Sequence, residues 1–277
     1  MAASENPRDR AAQHMFNRIA RRYDLLNRVI SFRLDNRWRE QAIQSIWSAR
    51  NPLILDLGAG TGDLTFSALK WSPTGKPVGP SGTPVGRNPE QEPLAKAGAR
   101  VEGSTGGGRI VGLDFSLEML KLAQIKSRSM PQGEQTRFVL GSALAVPFRE
   151  AVFDGIMSAF VLRNVSDLAL FFSQAYRVLR PGGKIVSLDM FPPSKGLFAK
   201  FYGLYFYRLV PWIGALLAHD REAYRYLSES VRTFHSPVMV AEILKQAGFA
   251  HITWRRFLCG AVCMHVAERP NPSGIPA

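Results

Sequence analysis

The sequence predicts an α/β protein built on a doubly wound, mostly parallel β-sheet. Short apolar runs alternate along the chain with longer stretches whose apolar residues recur at helical spacing, which indicates strands connected by helices. The run 53–57 is apolar on both faces except at Asp56 and leads into a glycine-rich turn, as a central parallel strand does. With 277 residues, of which 46% are hydrophobic, the chain can bury a sizeable core.

The residues before this strand are predicted to form two helices within the range 10–48, where apolar residues recur at helical spacing. Because this pair comes before the first strand, we interpret residues 1–50 as a helical cap over the ligand cleft of the sheet. We expect the polar residues Tyr23, Asp24 and Asn27 to face that cleft, although a core position suits Tyr23 equally well.

The chain is strongly basic, with a formal net charge of +13 and a pI of about 10.2. Such a charge predicts an anionic partner, either nucleic acid or a membrane surface, unless it only keeps the protein solvated. Two cysteines are too few for a disulfide framework, and the first 22 residues lack the apolar core of a secretory signal. We therefore expect a cytoplasmic protein.

The stretch 54–64 is predicted to form a buried strand, a tight turn and the start of a helix. Its three glycines allow the backbone to turn sharply and a ligand to approach closely. The free N–H groups at the start of the helix favour polar or anionic ligand groups. The predicted ligand contacts in this turn are Gly58, Gly60, Thr61, Gly62 and Asp63.

Asp56 decides which ligand this turn suits. Dinucleotide sites have the spacing G-x-G-x-x-G and contact a pyrophosphate, which a carboxylate beside the turn would repel. Here the pattern is D-x-G-x-G-x-G, and a carboxylate suits a cationic, amine-bearing ligand. The pattern resembles the first motif of class I S-adenosylmethionine-dependent methyltransferases.

A second ligand contact is predicted after a long insertion. Residues 72–109 are rich in Gly, Pro, Ser and Thr, so we expect them to be disordered. A strand at 110–114 follows, and Ser116 is predicted to cap the next helix. In nucleoside sites an acid at this strand end binds ribose hydroxyls, usually about 20 residues after the glycines. Asp114 lies 52 residues after Gly62, and the insertion accounts for the longer spacing.

The remainder of the chain continues the alternation of strands and helices. Strands are predicted at 138–140, 153–160 and 184–190, and a helix that begins near Leu168 is expected to end at the Arg-Pro-Gly-Gly stretch 180–183. Helices are predicted at 220–231 and 237–247, and closing strands at 251–255 and 261–266.

Residues 195–232 differ in character, because aromatic residues crowd the first part with basic residues between them. A membrane span is disfavoured, since Arg208 would lie near its middle and Pro211 would break the helix. We interpret the segment as helical and facing an apolar substrate or the membrane interface. A buried core helix is the alternative.

Cys259, Cys263 and His265 are of metal-ligand types and are predicted to share one face of the last strand. A fourth ligand and a Cys-x-x-Cys pair are missing from this group. We therefore expect no metal site and interpret the three residues as buried core side chains.

Five motifs together resemble one family, the ubiquinone/menaquinone biosynthesis C-methyltransferases. They are MFNRIARRYDLLN (15–27), LDLGAGTGDL (55–64), LRNV (162–165), YRVLRPGG (176–183) and YRYLSESVR (224–232). The last of these and the Arg-Asn pair are more specific than the glycine motif. The resemblance runs from residue 15 to about residue 265 and leaves out the insertion, the extreme N-terminus and the tail.

This resemblance implies a class I S-adenosylmethionine-dependent methyltransferase fold with a seven-stranded sheet in residues 51–269, an N-terminal helical addition and a tail at 270–277. It also implies three further cofactor contacts: Ser142, Ala143 and Ala159. The family often has Asp or Asn at the position of Ser142, Ser at that of Ala159 and Gly at that of Val161, so these contacts are expected to differ in detail.

The reaction that the resemblance implies is transfer of a methyl group from S-adenosylmethionine to a ring carbon of a polyprenylated quinol. Such a carbon is nucleophilic once its ring hydroxyl is deprotonated, and positioning supplies most of the acceleration without metal or covalent catalysis. We expect Arg163, beside Asn164, to stabilise the ring oxyanion unless it forms a structural salt bridge. Tyr23, Asp24 and Tyr226 are further candidates.

The isoprenoid tail of such a substrate and the basic surface together predict peripheral association with the inner face of an anionic membrane. Demethylmenaquinol is favoured as the acceptor over 2-methoxy-6-polyprenyl-1,4-benzoquinol of the ubiquinone route. The oligomeric state is open, a homodimer being one option.

Three alternatives have less support. An RNA methyltransferase suits the net charge, but a dedicated RNA-binding module is missing, so no nucleic-acid partner is expected. A nicotinamide-dependent oxidoreductase is disfavoured by the glycine spacing and by Asp56. A non-catalytic lipid-binding protein would not need an intact glycine turn and Asp114.

Overall fold

A single seven-stranded sheet forms the centre of the computed structural model, which describes residues 6–31, 34–47, 52–71, 108–193, 202, 203, 206 and 221–271. The strands are β1 (Leu53–Leu57), β2 (Arg109–Asp114), β3 (Thr136–Leu140), β4 (Phe153–Ala159), β5 (Leu179–Met190), β6 (Ala250–Phe257) and β7 (Val262–Glu268). Their order is β3-β2-β1-β4-β5-β7-β6, with β1 to β5 parallel and β7 antiparallel to both neighbours. The doubly wound fold class is thereby confirmed, and the strand order reverses between β1 and β4.

Helices cover both faces of this sheet because alternate strand residues point to opposite sides. They are α1 (Pro7–Ile30), α2 (Leu34–Ile46), α3 (Asp63–Leu69), α4 (Leu117–Arg128), α5 (Leu168–Val178), α6 (Arg221–Arg232) and α7 (Pro237–Gln246). Leu55 and Leu57 pack with α5 and α7, whereas Ile54 packs with α2 and α3. Ser116 caps α4 as predicted, its hydroxyl accepting a hydrogen bond from the N–H of Met119 at 3.3 Å.

The boundary between α5 and β5 differs from the prediction. The stretch 180–183 was expected to separate helix from strand, but β5 already begins at Leu179. The register between β4 and β5 shifts here, so the stretch forms an irregularity within the strand. The Gly182 N–H donates to the carbonyl of Arg269 at 2.7 Å, and this bond holds the stretch against the end of β7.

Two predicted segments lie largely outside the described residues. Of the insertion predicted at 72–109, residues 72–107 are not described, and Arg109 already belongs to β2. Of residues 195–220, only 202, 203 and 206 are described. Tyr202 and Phe206 are buried and stacked, with ring centroids 5.2 Å apart, so these two aromatic rings face the core.

The prediction that Cys259, Cys263 and His265 share one face of the last strand is wrong for Cys259. This residue is exposed and lies in the tight turn between β6 and β7, with φ of 49°. Cys263 and His265 do lie buried on one face of β7. Burial lowers the pKa of His265 to about 4 and raises that of Cys263 to about 12. Among the described residues, no three His, Cys, Asp or Glu side chains are grouped as metal ligands.

Within the described parts of the chain, no helix is both long enough and apolar enough to cross a membrane.

Candidate active site

A partly enclosed cavity lies at the carboxyl ends of β1 to β4, where the strand order reverses. This is the edge at which open α/β sheets bind ligands. Helix α1 closes the outer side. The described residues that line the cavity are Asp9, Phe16, Tyr23, Gly58, Gly60, Leu113, Asp114, Phe115, Met119, Gly141, Ser142, Ala143, Leu144, Ala159, Phe160, Val161, Asn164 and Val165.

A smaller cleft adjoins this cavity at the glycine turn. The two share Tyr23, Gly58, Gly60, Ala159 and Phe160, so together they extend from the turn to the end of β4. Residues that line only the smaller cleft are Arg39, Asp56, Ala59, Thr61, Asp63 and Leu64.

The glycine turn needs residues without side chains for two reasons. Gly58, Gly60 and Gly62 have φ values of 79°, 54° and 86°, in the left-handed region that other residues rarely adopt. A Cβ atom at Gly58 would overlap the side chain of Val161, whereas one at Gly60 would meet nothing within 4 Å. The turn is therefore packed on one side and open at Gly60, where it borders both clefts.

Asp114 closes the turn from the neighbouring strand. Its Oδ2 accepts a hydrogen bond from the Gly60 N–H and its Oδ1 one from the Ser116 N–H, both at 2.8 Å. Burial raises the pKa of this carboxyl to about 6, while those N–H groups oppose the rise. Asp114 is therefore in direct contact with the turn although it lies far from it in the sequence.

Asp56 lies beneath the turn and has an unused acceptor atom. Its Oδ2 accepts a hydrogen bond from the Thr65 hydroxyl at 2.6 Å, but its buried Oδ1 has no hydrogen-bond partner. Burial raises the pKa of Asp56 to about 7, and the Thr65 bond and Arg39 only partly offset that rise. A buried, unpaired carboxylate oxygen indicates a position where a hydrogen-bond donor or a cation binds.

A chain of ion pairs lies beside the smaller cleft and includes two of its wall residues, Arg39 and Asp63. Arg39 lies 3.3 Å from Asp35 and 3.1 Å from Asp63, and Lys126 lies 3.0 Å from Asp63 and 2.6 Å from Asp24. Although burial alone would raise the pKa of Asp63, the charges of Arg39 and Lys126 lower it. The carboxylate of Asp63 is therefore held by protein cations at the start of α3.

Of the predicted catalytic residues, Asn164 and Tyr23 lie on the cavity wall, whereas Arg163 and Tyr226 are not among its lining residues. Arg163 is buried and pairs with Asp189, its Nη1 lying 2.5 Å from Oδ1. Its Nε has no hydrogen-bond partner. Tyr226 is near enough to be influenced by Arg163: burial raises the pKa of its phenol, and the charges of Arg8 and Arg163 lower it.

The predicted cofactor residues are divided between the two clefts. Ser142, Ala143 and Ala159 line the larger cavity with Asp114, and Asp56, Thr61 and Asp63 line the smaller cleft. Gly62 lines neither, since its role is to begin α3. The side chain of Asn27 lies outside the described residues.

Several wall residues are absent from the sequence-based prediction. Asp9 belongs to the extreme N-terminus, which the resemblance leaves out, and Phe16 was interpreted only as an apolar position of the first helix. Phe160 was predicted to end a strand, but its φ of 62° turns the chain there instead. Its position directly after a buried strand that leads toward the site is the signal that could have identified it.

This chain is similar to known proteins over most of its length. The model of the ubiE/COQ5 methyltransferase family matches residues 4–269. A demethylmenaquinone methyltransferase of Thermus thermophilus is 36% identical over 92% of this chain and 100% of its own length. A mitochondrial 2-methoxy-6-polyprenyl-1,4-benzoquinol methylase of Pongo abelii is 30% identical over 95% of this chain and 80% of its own.

The fold has counterparts among solved structures. An S-adenosylmethionine-dependent methyltransferase from Thermotoga maritima superposes with a TM-score of 0.58 at 15% identity, over 93% of this chain and 99% of the other. At that identity the likeness concerns the fold alone. The family match, in contrast, spans nearly the whole chain, and the chain therefore belongs to the ubiE/COQ5 methyltransferase family.

Proposed function

We propose that this chain transfers a methyl group from S-adenosylmethionine to a ring carbon of a polyprenylated quinol, with demethylmenaquinol as the acceptor. The observation that carries the proposal is the similarity to a demethylmenaquinone methyltransferase over the whole length of that relative. The site supplies the chemical support, because it combines a carboxylate-lined glycine turn with a largely apolar cavity.

The residues present fit the cofactor. The unpaired Oδ1 of Asp56 suits an amino group, and the open space above Gly60 admits a ligand against the backbone. Each carboxylate oxygen of Asp114 accepts one backbone N–H and retains a lone pair that a ribose hydroxyl can use. Bound there, S-adenosylmethionine would supply an electrophilic methyl group on a sulfonium.

The contribution of the protein is then to bind and orient an uncharged ring beside the turn. Phe16, Tyr23, Phe160, Val161 and Val165 provide apolar walls that exclude water. Such a site accelerates the reaction chiefly by holding the acceptor carbon in line and by removing the ring-hydroxyl proton.

The benzoquinol of the ubiquinone route is the second candidate acceptor. The specific observation in its favour is the similarity to the mitochondrial benzoquinol methylase, at 30% identity. The two acceptors differ by one fused ring, and the apolar lining of the cavity suits either of them.

Peripheral association with the inner, cytoplasmic face of an anionic membrane completes the proposal. A polyprenylated substrate resides in the bilayer, and the net charge of +13 favours anionic headgroups, at about 1 kcal/mol for each basic residue near the surface. Co-sedimentation with vesicles rich in anionic lipid should decrease as salt is raised, and neutral vesicles should retain little protein. Light scattering on the same samples tests for a homodimer.

The test of the reaction uses radiolabelled S-adenosylmethionine with a short-chain demethylmenaquinol and, in parallel, a short-chain methoxy-benzoquinol. Label in the first product supports the proposal, and label only in the second moves the chain to the ubiquinone route. If the cofactor binds but neither quinol is labelled, the proposal is wrong and RNA becomes the next acceptor to test.

A further inference from the structure

The main cavity has two carboxylates among its described wall residues, and they lie in different surroundings. Asp114 is enclosed by backbone N–H groups beside the glycine turn. Asp9 lies in the first turn of α1, and its carboxylate accepts a hydrogen bond from the Ser166 hydroxyl at 2.6 Å. The carboxylate of Asp9 is therefore held at the cavity wall by the Ser166 hydroxyl.

Asp9 contacts the loop that follows β4, whereas Asp114 ends β2, and β1 lies between those two strands. Ser166 follows the short 3-10 turn 162–164, and Asn164 and Val165 line the cavity beside Asp9. The two carboxylates therefore belong to different parts of one cavity wall, Asp114 at the end of β2 and Asp9 beside the loop after β4. This arrangement leaves the part near Asp9 for the acceptor when Asp56 and Asp114 bind the cofactor.

Three other polar residues in this region are poor proton acceptors. Arg163 is a cation that is paired with Asp189, and Asn164 does not titrate. Burial raises the pKa of the Tyr226 phenol, so this group keeps its proton. A carboxylate, in contrast, is an ordinary general base.

We propose that Asp9 is a catalytic residue that accepts the proton of the quinol ring hydroxyl. The O–H bond breaks and the proton passes to the Asp9 carboxylate, while the oxygen electrons move into the ring. The ring carbon forms its bond to the methyl group as the bond from methyl to sulfur breaks and a neutral thioether leaves. The same carbon then releases its hydrogen as a proton to solvent, and the ring oxygen recovers the proton from Asp9. One proton is released for each methyl group transferred.

This inference rests on the proposed function, and the experiment separates the two. The variant is Asp9→Asn, whose amide oxygen still accepts the Ser166 hydrogen bond but whose side chain cannot take a proton. The matched control is Asp167→Asn, because Asp167 is the N-cap of α5 and asparagine caps a helix equally well. Cofactor affinity by calorimetry and thermal unfolding are recorded for each protein.

The expected result is a decrease in kcat of about 100-fold or more for Asp9→Asn, with cofactor affinity and the unfolding temperature unchanged. The decrease should become smaller with ring-halogenated quinols, since a more acidic hydroxyl needs a base less. Turnover within twofold of the unaltered chain, or a decrease that is equal for all ring acidities, would overturn the role of Asp9. If the unaltered chain binds cofactor and methylates no quinol, the proposed function fails, and the inference fails with it.

Discussion

The Asp24 carboxylate on α1 accepts a hydrogen bond from the Thr61 hydroxyl of the glycine turn at 2.5 Å. Lys126 on α4 lies 2.6 Å from the other oxygen of Asp24 and also pairs with Asp63 at the start of α3. The helical cap is thus attached to the candidate cofactor turn by charge as well as by apolar packing. Motion of α1 and occupation of the turn should therefore be coupled.

The variant Lys126→Met tests this coupling. Without the ammonium group, Asp24 and Asp63 face each other with no shared cation, so we expect cofactor affinity to decrease by about tenfold, as 1.4 kcal/mol would produce. Stability should change by less than about 1 kcal/mol, because the lysine side chain is one-third exposed. Calorimetric titration measures the affinity, and Lys121→Met, which breaks an exposed pair with Glu118, is the control. Equal affinities in both variants would show that α1 is not coupled to the turn.

We expect Asp56→Asn to stabilise the unliganded protein against unfolding and to reduce the stabilisation that bound cofactor provides. The folded-state pKa of about 7 lies above the ordinary value of 3.8, so the folded chain holds a proton that the unfolded chain has lost between those values. The carboxyl therefore costs stability progressively as pH rises from about 4 to 7, and the full cost remains above pH 7.

At pH 8 the unliganded Asp56→Asn variant should consequently unfold at a higher temperature than the unaltered chain, and the difference should vanish near pH 4. Cofactor should raise the unfolding temperature of the unaltered chain much more than that of the variant, since the amine loses its carboxylate partner. Cofactor affinity of the unaltered chain should decrease below pH 7 as Asp56 becomes protonated. Scanning calorimetry across pH, with and without cofactor, checks all three expectations. A variant that is less stable than the unaltered chain at pH 8 would contradict them.

Asp114→Asn should behave differently although the residue is also a buried carboxylate with a raised pKa. Both of its oxygens accept backbone N–H groups, and an amide can accept only one of these two bonds. The second N–H would face an NH₂ group in a buried site, at a cost of about 1–3 kcal/mol. Urea unfolding of the unliganded variant measures this decrease. No loss of stability would mean that the two hydrogen bonds do not hold the turn.

Much of this site could be predicted from the sequence because its determinants are local. The glycine turn, the cap at Ser116 and the acid at the end of β2 depend on residues a few positions apart, and the insertion before β2 did not obscure them. Asp9 depends on where the first turn of α1 meets the loop after β4, at Ser166, which is a matter of tertiary packing. No local pattern around residue 9 encodes that contact.

The pairing of Arg163 with Asp189 could be predicted from the sequence only in part. Arg163 lies in the turn after β4 and Asp189 near the carboxyl end of β5, so their pairing depends on β4 and β5 being neighbours, and no strand order was predicted from the sequence. Cys259 was misplaced for a different reason. Left-handed backbone conformations at Leu258 and Cys259 end β6 abruptly. Because leucine and cysteine rarely adopt such φ values, the sequence does not predict this turn.

Phe160 offers a direct test of backbone strain in the site. Its φ of 62° is unfavourable for a residue with a side chain, and its N–H is held by the Leu188 carbonyl at 2.7 Å. Phe160→Ala and Phe160→Gly both remove the ring, but only glycine also removes the strain. We expect the glycine variant to be more stable by about 1 kcal/mol, the reverse of the usual order for these residues. Urea unfolding of the pair measures the difference, and an alanine variant of equal or greater stability would exclude strain at this position.

Arg163 has a structural role in the ion pair, and a double variant separates that role from catalysis. Arg163→Met alone leaves the buried Asp189 carboxylate, which has no exposed side-chain surface, without its cationic partner. Asp189→Leu alone leaves the Arg163 guanidinium without its anionic partner. Each should cost about 3–5 kcal/mol of unfolding free energy. The combination Arg163→Met with Asp189→Leu removes both charges and should recover most of that loss, because apolar side chains can replace a buried ion pair.

The turnover of this double variant then decides the question. If Arg163 stabilises the ring oxyanion, kcat of the double variant should remain at least about 100-fold below that of the unaltered chain even though its stability is restored. Loss of one hydrogen-bond donor to an oxyanion decreases kcat by about that factor. Cofactor affinity should be nearly normal, because Arg163 lines neither cleft. Recovery of turnover together with stability would instead show that the pair only fastens the end of β4 to β5. Proton removal at Asp9 would then be left as the main catalytic contribution of the protein beyond orientation.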